Sequence, residues 1–282
     1  MRRLKHMKLP TIDRVFSKFV ICCALMLPVL IGSSACKHEA PAGSDFTAAR
    51  HERGTQIVNE FLRRDAAPYR KQRIRLSINS TSEPNKVYEL EIWRKQTENE
   101  TLTLTHVVQP ADENDLAALS IEKKGEPAVN VTYVSSTDQF RETGTNKMFF
   151  GGLTAQELLG EWGKYDYSLM DEKTLDGVKA MQVEGTLKPG ADSILARSIT
   201  LFRADNYLPA EMHLFDSGGQ EVRTFHVQKY NNVAGRDAIW LTEIENHLRP
   251  TKVTIETLSL EFPDKADDAM FTRDRLKQLS RK

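Results

Sequence analysis

Apolar and polar residues alternate along most of the chain after residue 70. Residues 71–79, KQRIRLSIN, place Ile74, Leu76 and Ile78 on one face of a predicted strand, and polar side chains on the other. This two-residue period is typical of a strand with one buried face. A sheet with an apolar side is therefore the first expectation.

Further strands follow the first at short intervals. Residues 86–94, KVYELEIWR, place Tyr88, Leu90 and Ile92 on one face. The other predicted strands are residues 101–108, 128–134, 178–187, 196–203, 210–216, 221–230, 238–246 and 251–262. The pattern predicts about ten or eleven strands joined by short turns, which favours antiparallel meanders over crossover units.

Helices are few. Residues 52–64 carry apolar side chains at helical spacing. Thr154 and Glu157 form a capping-box pattern that predicts a second helix in the middle of the chain. Residues 267–279 are a candidate for a short last helix.

These elements predict a mainly β (α+β) fold with one large, curved antiparallel sheet. Two or three helices cannot cover the whole apolar face, so the sheet must curl or hold something in its hollow. Curling produces a barrel or half-barrel whose interior takes an apolar ligand. Candidate cavity residues are Ile74, Leu76, Tyr88, Leu90 and Ile92.

An apolar cluster precedes the predicted middle helix. It contains Met148, Phe149, Phe150 and Leu153, with two glycines between the last two. Such a segment beside a hollow is a candidate gate that contacts a lipid, and the glycines would act as its hinge. Ordinary core packing is the alternative, since aromatic side chains are usually buried.

The N-terminus has the order of an export signal. Basic residues come first, then the apolar run 19–31, then small residues up to residue 35. The apolar run is shorter than the roughly 20 residues that span a bilayer, although an uncleaved anchor is the alternative. We predict a signal peptide over residues 1–35, a flexible tether over residues 36–50 and one domain over residues 51–280.

Cys36 would be the first residue of the mature chain. Cys22 and Cys23 lie inside the predicted signal, so Cys36 remains as a lone cysteine in an oxidising compartment. The residues before it resemble the bacterial lipobox, except that Ser33 stands where leucine is usual. Lipidation of Cys36, with membrane attachment through it, and ordinary signal cleavage at the same bond both stay open.

Charge and motifs exclude several classes of function. The full chain has 39 basic and 39 acidic residues, and loss of residues 1–35 leaves 33 and 38, a net charge of −5. A nucleic-acid partner is therefore not expected. The sequence has no nucleotide-binding loop, serine nucleophile elbow or paired-histidine motif, so we predict no catalytic residues, no metal and no cofactor. Arg73 and Arg75 fit an exposed strand face.

Longer segments resemble the LolA-like outer membrane lipoprotein-sorting family. The resemblance covers roughly residues 50–265 and includes the run from Phe140 and the Asp-x-x-x-Pro turn from Asp205 to Pro209. The chain departs from the family before the middle helix, where the family usually has a Gly-Ser-Asp-Phe-like run. That departure concerns the contacts of this loop and leaves the fold unaffected.

The resemblance implies an unclosed antiparallel half-barrel, lined with apolar side chains and lidded by helices. It also implies a carrier or acceptor of the acyl chain of a lipid or lipoprotein. The expected location is the periplasmic side of the envelope, either anchored to the outer membrane or soluble. The alternative is an accessory lipoprotein that docks on an envelope transporter, and an enzyme on a β scaffold is the third hypothesis.

Overall fold

The computed structural model describes residues 42–144, 152–154, 157–158, 160, 162–175, 177–265 and 267–281. The helices are α1 (Ala42–Asp65) and α2 (Arg273–Leu279). The strands are β1 (Tyr69–Ser80), β2 (Lys86–Gln96), β3 (Glu100–Gln109), β4 (Ala117–Lys123), β5 (Val129–Val134), β6 (Gln139–Gly144), β7 (Tyr165–Leu175), β8 (Val178–Leu187), β9 (Arg197–Arg203), β10 (Pro209–Phe215), β11 (Glu221–Val233), β12 (Arg236–Asn246) and β13 (Thr251–Glu261).

All these strands belong to one antiparallel sheet with the order β6-β5-β4-β3-β2-β1-β13-β12-β11-β10-β9-β8-β7. Two meanders, β1–β6 and β7–β13, meet where the first and last strands pair in the centre. β6 and β7 are the two edges and do not pair with each other, so the sheet does not close into a barrel. The predicted mainly β fold with an unclosed half-barrel is confirmed.

The sheet has two distinct faces. The inner face carries Ile74, Leu76 and Leu90, which belong to one buried apolar cluster. On the outer face, Leu104 packs with Leu276 of α2 in a separate cluster. The outer face of β3–β5 therefore has an apolar cover of its own, separate from the cluster on the inner face.

Helix α1 covers part of the inner face. It buries Ile57, Val58 and Phe61 in a cluster with residues of β7–β9. Phe61 also stacks edge-on against Trp162, with ring centroids 5.1 Å apart. These large apolar contacts fix α1 to one half of the sheet and leave the other half uncovered by this helix.

The helix boundaries differ from the sequence prediction. α1 begins at Ala42, ten residues before the predicted start, so the helix extends into residues 42–50 of the predicted tether. The exposed side chains of residues 47–53 give this end little apolar signal. The last helix is also shorter than predicted, because a 3₁₀ turn over Asp268–Phe271 precedes α2.

Candidate functional site

The chain crosses from one edge of the sheet to the other between β6 and β7. We call the described residues of this connection, within 152–164, the crossing segment. Leu153 is buried and joins the inner-face cluster, and Leu158 packs against the same cluster. The crossing segment therefore lies over the inner face and covers part of it.

The predicted capping box holds the crossing segment in shape. The backbone N–H of Thr154 donates to Glu157 Oε2 at 2.6 Å, and the N–H of Glu157 donates to Thr154 Oγ1 at 3.1 Å. The other carboxylate oxygen of Glu157 lies 3.1 Å from Nε of Arg223 on β11. These side chains are only 1% and 4% exposed, so this is a buried ion pair between segment and sheet.

Arg223 has further acceptors on both sides of the contact. It donates to Asn246 Oδ1 at 2.7 Å, to the carbonyl of Val222 at 2.7 Å, and to the carbonyl of Gly152 at 2.9 Å. Burial lowers the pKa of Arg223, and the neighbouring carboxylate of Glu157 opposes that shift. One side chain thus ties the crossing segment to strands β11 and β12.

A hollow of about 1280 Å³ lies beside the crossing segment. Its apolar wall comes from α1, the crossing segment and five strands. The residues of this wall include Phe61, Leu62, Ile92, Leu158, Trp162, Met212, Phe225, Val227, Trp240 and Ile255. Its volume exceeds the roughly 300–1,000 Å³ of sites for drug-sized ligands. A long flexible apolar group fits such a space.

The predicted cavity residues fall into two groups. Ile92 lines the hollow. Ile74, Leu76, Tyr88 and Leu90 are 5% exposed or less and pack together beneath the crossing segment.

Leu153 lies in the same packed cluster, so these five residues form a filled core next to the hollow. Their role as a ligand lining stays a prediction and requires the crossing segment to move. Cys36, Met148, Phe149 and Phe150 lie outside the described residues, so their predicted roles as lipid anchor and gate also stay predictions.

Among the charged side chains that line the hollow, three meet in one group that the sequence pattern does not predict. Asp65, at the end of α1, accepts from Arg70 Nη1 on β1 at 2.8 Å and from Arg94 Nη1 on β2 at 3.1 Å. All three residues line the hollow. Burial raises the pKa of Asp65, but the two guanidinium groups outweigh burial and hold that pKa below its usual range.

The outer face of β1 is charged and exposed, as predicted. Arg73 and Arg75 both bind Glu89, at 2.7 Å and 3.1 Å, and Arg75 also reaches Glu256 at 3.1 Å. Their side chains are more than two-fifths exposed, so these pairs contribute little stability. The interpretation of these arginines as an exposed strand face is confirmed.

Histidines on β10 and β11 lie beside glutamates of the same two strands. His213 contacts Glu211 and Glu221, each at 2.6 Å, and His226 lies 3.2 Å from Glu211. Burial lowers the pKa of His213, but its hydrogen bonds with the two glutamates outweigh burial and raise that pKa. Among the described residues, no group of three or more His, Cys, Asp or Glu is arranged to hold a metal ion.

Comparison with known proteins places the chain among β proteins of the same architecture. A family model whose description reads only "Uncharacterized protein" matches residues 99–278. No curated protein sequence matches the chain. Within the part of the chain that the structure describes, no helix is both long and apolar enough to cross a bilayer.

Three crystal structures share the fold over most of their length. A DUF1329 family protein from Desulfovibrio piger has 19% identity and a TM-score of 0.73, over 82% of this chain and 98% of that one. A domain described as an outer membrane lipoprotein-sorting protein, from Vibrio parahaemolyticus, has 16% identity and a TM-score of 0.73, over 80% and 99%. A LolA superfamily protein from Nitrosomonas europaea has 14% identity and a TM-score of 0.65, over 79% and 98%.

Proposed function

We propose that this chain binds acyl chains in the cell envelope. The proposal starts from two findings: the chain belongs to the family that the matching model defines, and it has the LolA-like fold. In this proposal it carries or accepts the acyl chain of a lipid or lipoprotein in its hollow. It does so without catalysis. Lipoprotein sorting appears in the description of one relative of the same fold, and for this chain it is part of the proposal.

The hollow on the inner face is the observation that carries the proposal. Apolar side chains from α1, the crossing segment and several strands converge on a space of about 1280 Å³. Burial of an acyl chain contributes about 0.8 kcal/mol for each CH₂ group. Binding by such a site needs only shape and apolar surface, which matches a sequence without catalytic motifs.

The N-terminal sequence supports a location for this activity in the cell envelope. We propose that residues 1–35 direct export and that the mature chain starts at Cys36 on the periplasmic side of the envelope. A lipidated Cys36 would make the domain a stationary acceptor at the outer membrane, whereas an unmodified Cys36 would make it a mobile carrier. In both cases the hollow would bind the acyl chain.

A matched pair of substitutions on β13 tests the proposal. Ile255 lines the hollow, whereas Thr254, its neighbour in sequence, points to the outer face. We expect Ile255→Trp to fill the hollow and weaken binding of Nile red, a neutral apolar dye, at least about tenfold. Thr254→Trp should change the affinity less than about twofold.

Lipid retention provides the second measurement. The mature domain, purified and mixed with envelope lipid extract, should carry lipid in native mass spectrometry, and Ile255→Trp should carry less. A folded wild-type domain that binds neither dye nor lipid would contradict the proposal and favour an accessory protein that docks on a transporter.

A further inference from the structure

Three charged side chains that meet in the wall of the hollow, Asp65, Arg70 and Arg94, carry a surplus positive charge among themselves. Arg70 and Arg94 share one carboxylate, that of Asp65, while the second Nη of Arg94 donates to the neutral Gln96 at 2.6 Å. The electrostatic influences on Arg70 and on Asp65 come from within this trio. Two cations and one anion leave a net charge of +1 beside an apolar space.

One hydrogen-bond donor of Arg70 lacks an acceptor in the part of the chain that the structure describes. Its Nε is buried and has no hydrogen-bond partner among the described residues. Its side chain is 18% exposed, and that of Arg94 is 23% exposed. A buried, unpartnered donor on a guanidinium is costly, since leaving one unsatisfied costs more than leaving a neutral group unsatisfied. An anion from outside the chain, bound at the exposed part of these guanidinium groups, would offset the surplus positive charge.

We infer that Arg70 and Arg94 bind the anionic end group of an amphiphile whose acyl chain lies in the hollow. This inference rests on the proposed function and narrows it to a ligand class. The end group is a carboxylate or a phosphate, because planar guanidinium groups match the oxygens of both. Acyl groups held in ester or amide linkage, as on a lipoprotein, carry no such charge.

The other arginine cluster near α1 does not offer the same site. A cleft of about 420 Å³ is lined by Arg63, Arg64 and Arg236. Arg63 and Arg64 bind Glu60, at 2.7 Å and 2.6 Å. Arg236 donates to the carbonyl of Ala66, just after the end of α1, at 2.7 Å. The first two of these arginines also share one carboxylate, but all three line a small and mostly polar cleft, whereas Arg70 and Arg94 line the large hollow with its apolar wall.

Ligands of equal chain length provide the first test, which uses the unmodified mature protein. Calorimetry would compare decanoate and decyl phosphate with methyl decanoate, a neutral ester, all below their micelle concentrations. We expect both anionic ligands to bind at least about tenfold more tightly than the ester. Inorganic phosphate alone should bind far more weakly than decyl phosphate, because it gains nothing from the hollow.

Arginine substitutions locate the effect. Arg70→Gln and Arg94→Gln should each weaken decanoate binding about tenfold or more and leave the ester within about twofold. Arg73→Gln is the matched control, since it removes the same charge from the same strand on the outer face. It should leave all affinities unchanged, and circular dichroism would verify that each variant folds.

The possible failures are distinguishable. Equal affinity for decanoate and methyl decanoate in the wild-type protein would overturn the charge preference and leave the acyl-binding function in place. Inorganic phosphate binding as tightly as decyl phosphate would overturn the amphiphile and indicate a free-anion site. Absence of binding by all the decyl ligands would overturn the proposed function and this inference together.

Discussion

Arg223 shows how much depends on one side chain at the residue scale. Its guanidinium meets a carboxylate, a side-chain amide and two backbone carbonyls, and almost none of it is exposed. A buried charge is costly unless an opposite charge and hydrogen bonds compensate it. The crossing segment supplies two of these partners, Glu157 and the carbonyl of Gly152, so its position over the sheet is coupled to the stability of the core.

Removal of the Glu157 carboxylate should therefore lower the free energy of unfolding more than removal of an exposed carboxylate. We expect Glu157→Ala to lower the free energy of unfolding by about 3 kcal/mol, because Arg223 is left buried without its anion. Glu256→Ala breaks a half-exposed pair with Arg75 and should cost less than about 1 kcal/mol. Urea titration followed by circular dichroism measures the free energy of unfolding of both variants. Equal losses of stability would show that the buried Glu157–Arg223 pair contributes no more than the exposed pair.

Local sequence could reveal only one half of this contact. Thr154 and Glu157 are three residues apart, and their pattern predicted the reciprocal hydrogen bonds that the structure confirms. The partner of Glu157 comes from β11, and nothing in the sequence near Arg223 points to it. The same holds for Arg70 and Arg94, whose common acceptor depends on strand register and on where α1 ends.

At the element scale, the strands that alternate cleanly were predicted and the others were missed. β4, β6 and β7 were not among the predicted strands. β6 reads QFRETG, an exposed edge with almost no apolar face. In β7 a register shift between Leu169 and Asp171 breaks the two-residue period. An edge position or a bulge weakens the sequence pattern without weakening the hydrogen-bonded pairing.

The contact between α1 and β7 depends on the absence of a side chain. A Cβ added to Gly54 would lie 2.6 Å from the backbone of Ser168, which cannot yield as a flexible side chain would. Gly54→Ala should lower the free energy of unfolding by about 1–3 kcal/mol, even though alanine is the better helix former by about 1 kcal/mol.

Asn59→Ala is the control for helix propensity, because Asn59 lies on the exposed side of α1. Thermal unfolding should show Asn59→Ala unchanged or slightly stabilised, and Gly54→Ala destabilised. A stabilised Gly54→Ala would mean that α1 does not pack closely on β7.

On the scale of the whole molecule, the sequence predicts a sheet with one apolar face. It does not predict which part of that face is covered by the crossing segment and which part stays open. Alternation assigned Ile74, Leu76, Leu90 and Ile92 to one face, and the structure places them there. Whether such a face is open or filled depends on where the crossing segment lies, which the sequence pattern does not contain. Only Ile92 of these four reaches the open part.

The predicted attachment to a membrane is tested at Cys36. If Cys36 is lipidated, the wild-type protein should sediment with membranes, and Cys36→Ser should move most of it to the soluble periplasmic fraction. The free energy of two acyl chains supports stable attachment, whereas a single chain gives only marginal binding. Cell fractionation and immunoblotting measure the distribution.

Two other distributions would be informative. A Cys36→Ser variant that stays with the membranes would indicate an uncleaved N-terminal anchor. A wild-type protein found in the soluble fraction would contradict lipidation and favour the mobile carrier.

The pairing of β1 with β13 has a consequence for how the chain reaches its native state. β1 is the first strand made and β13 the last, yet they lie side by side in the centre of the sheet. Until residues 251–261 have emerged, β1 has an unpaired edge and the two meanders have no common border. Folding that waits for such a distant partner is slow and exposes the chain to aggregation. A truncation before residue 251 therefore divides the sheet at its middle, although it removes only the C-terminal end of the chain.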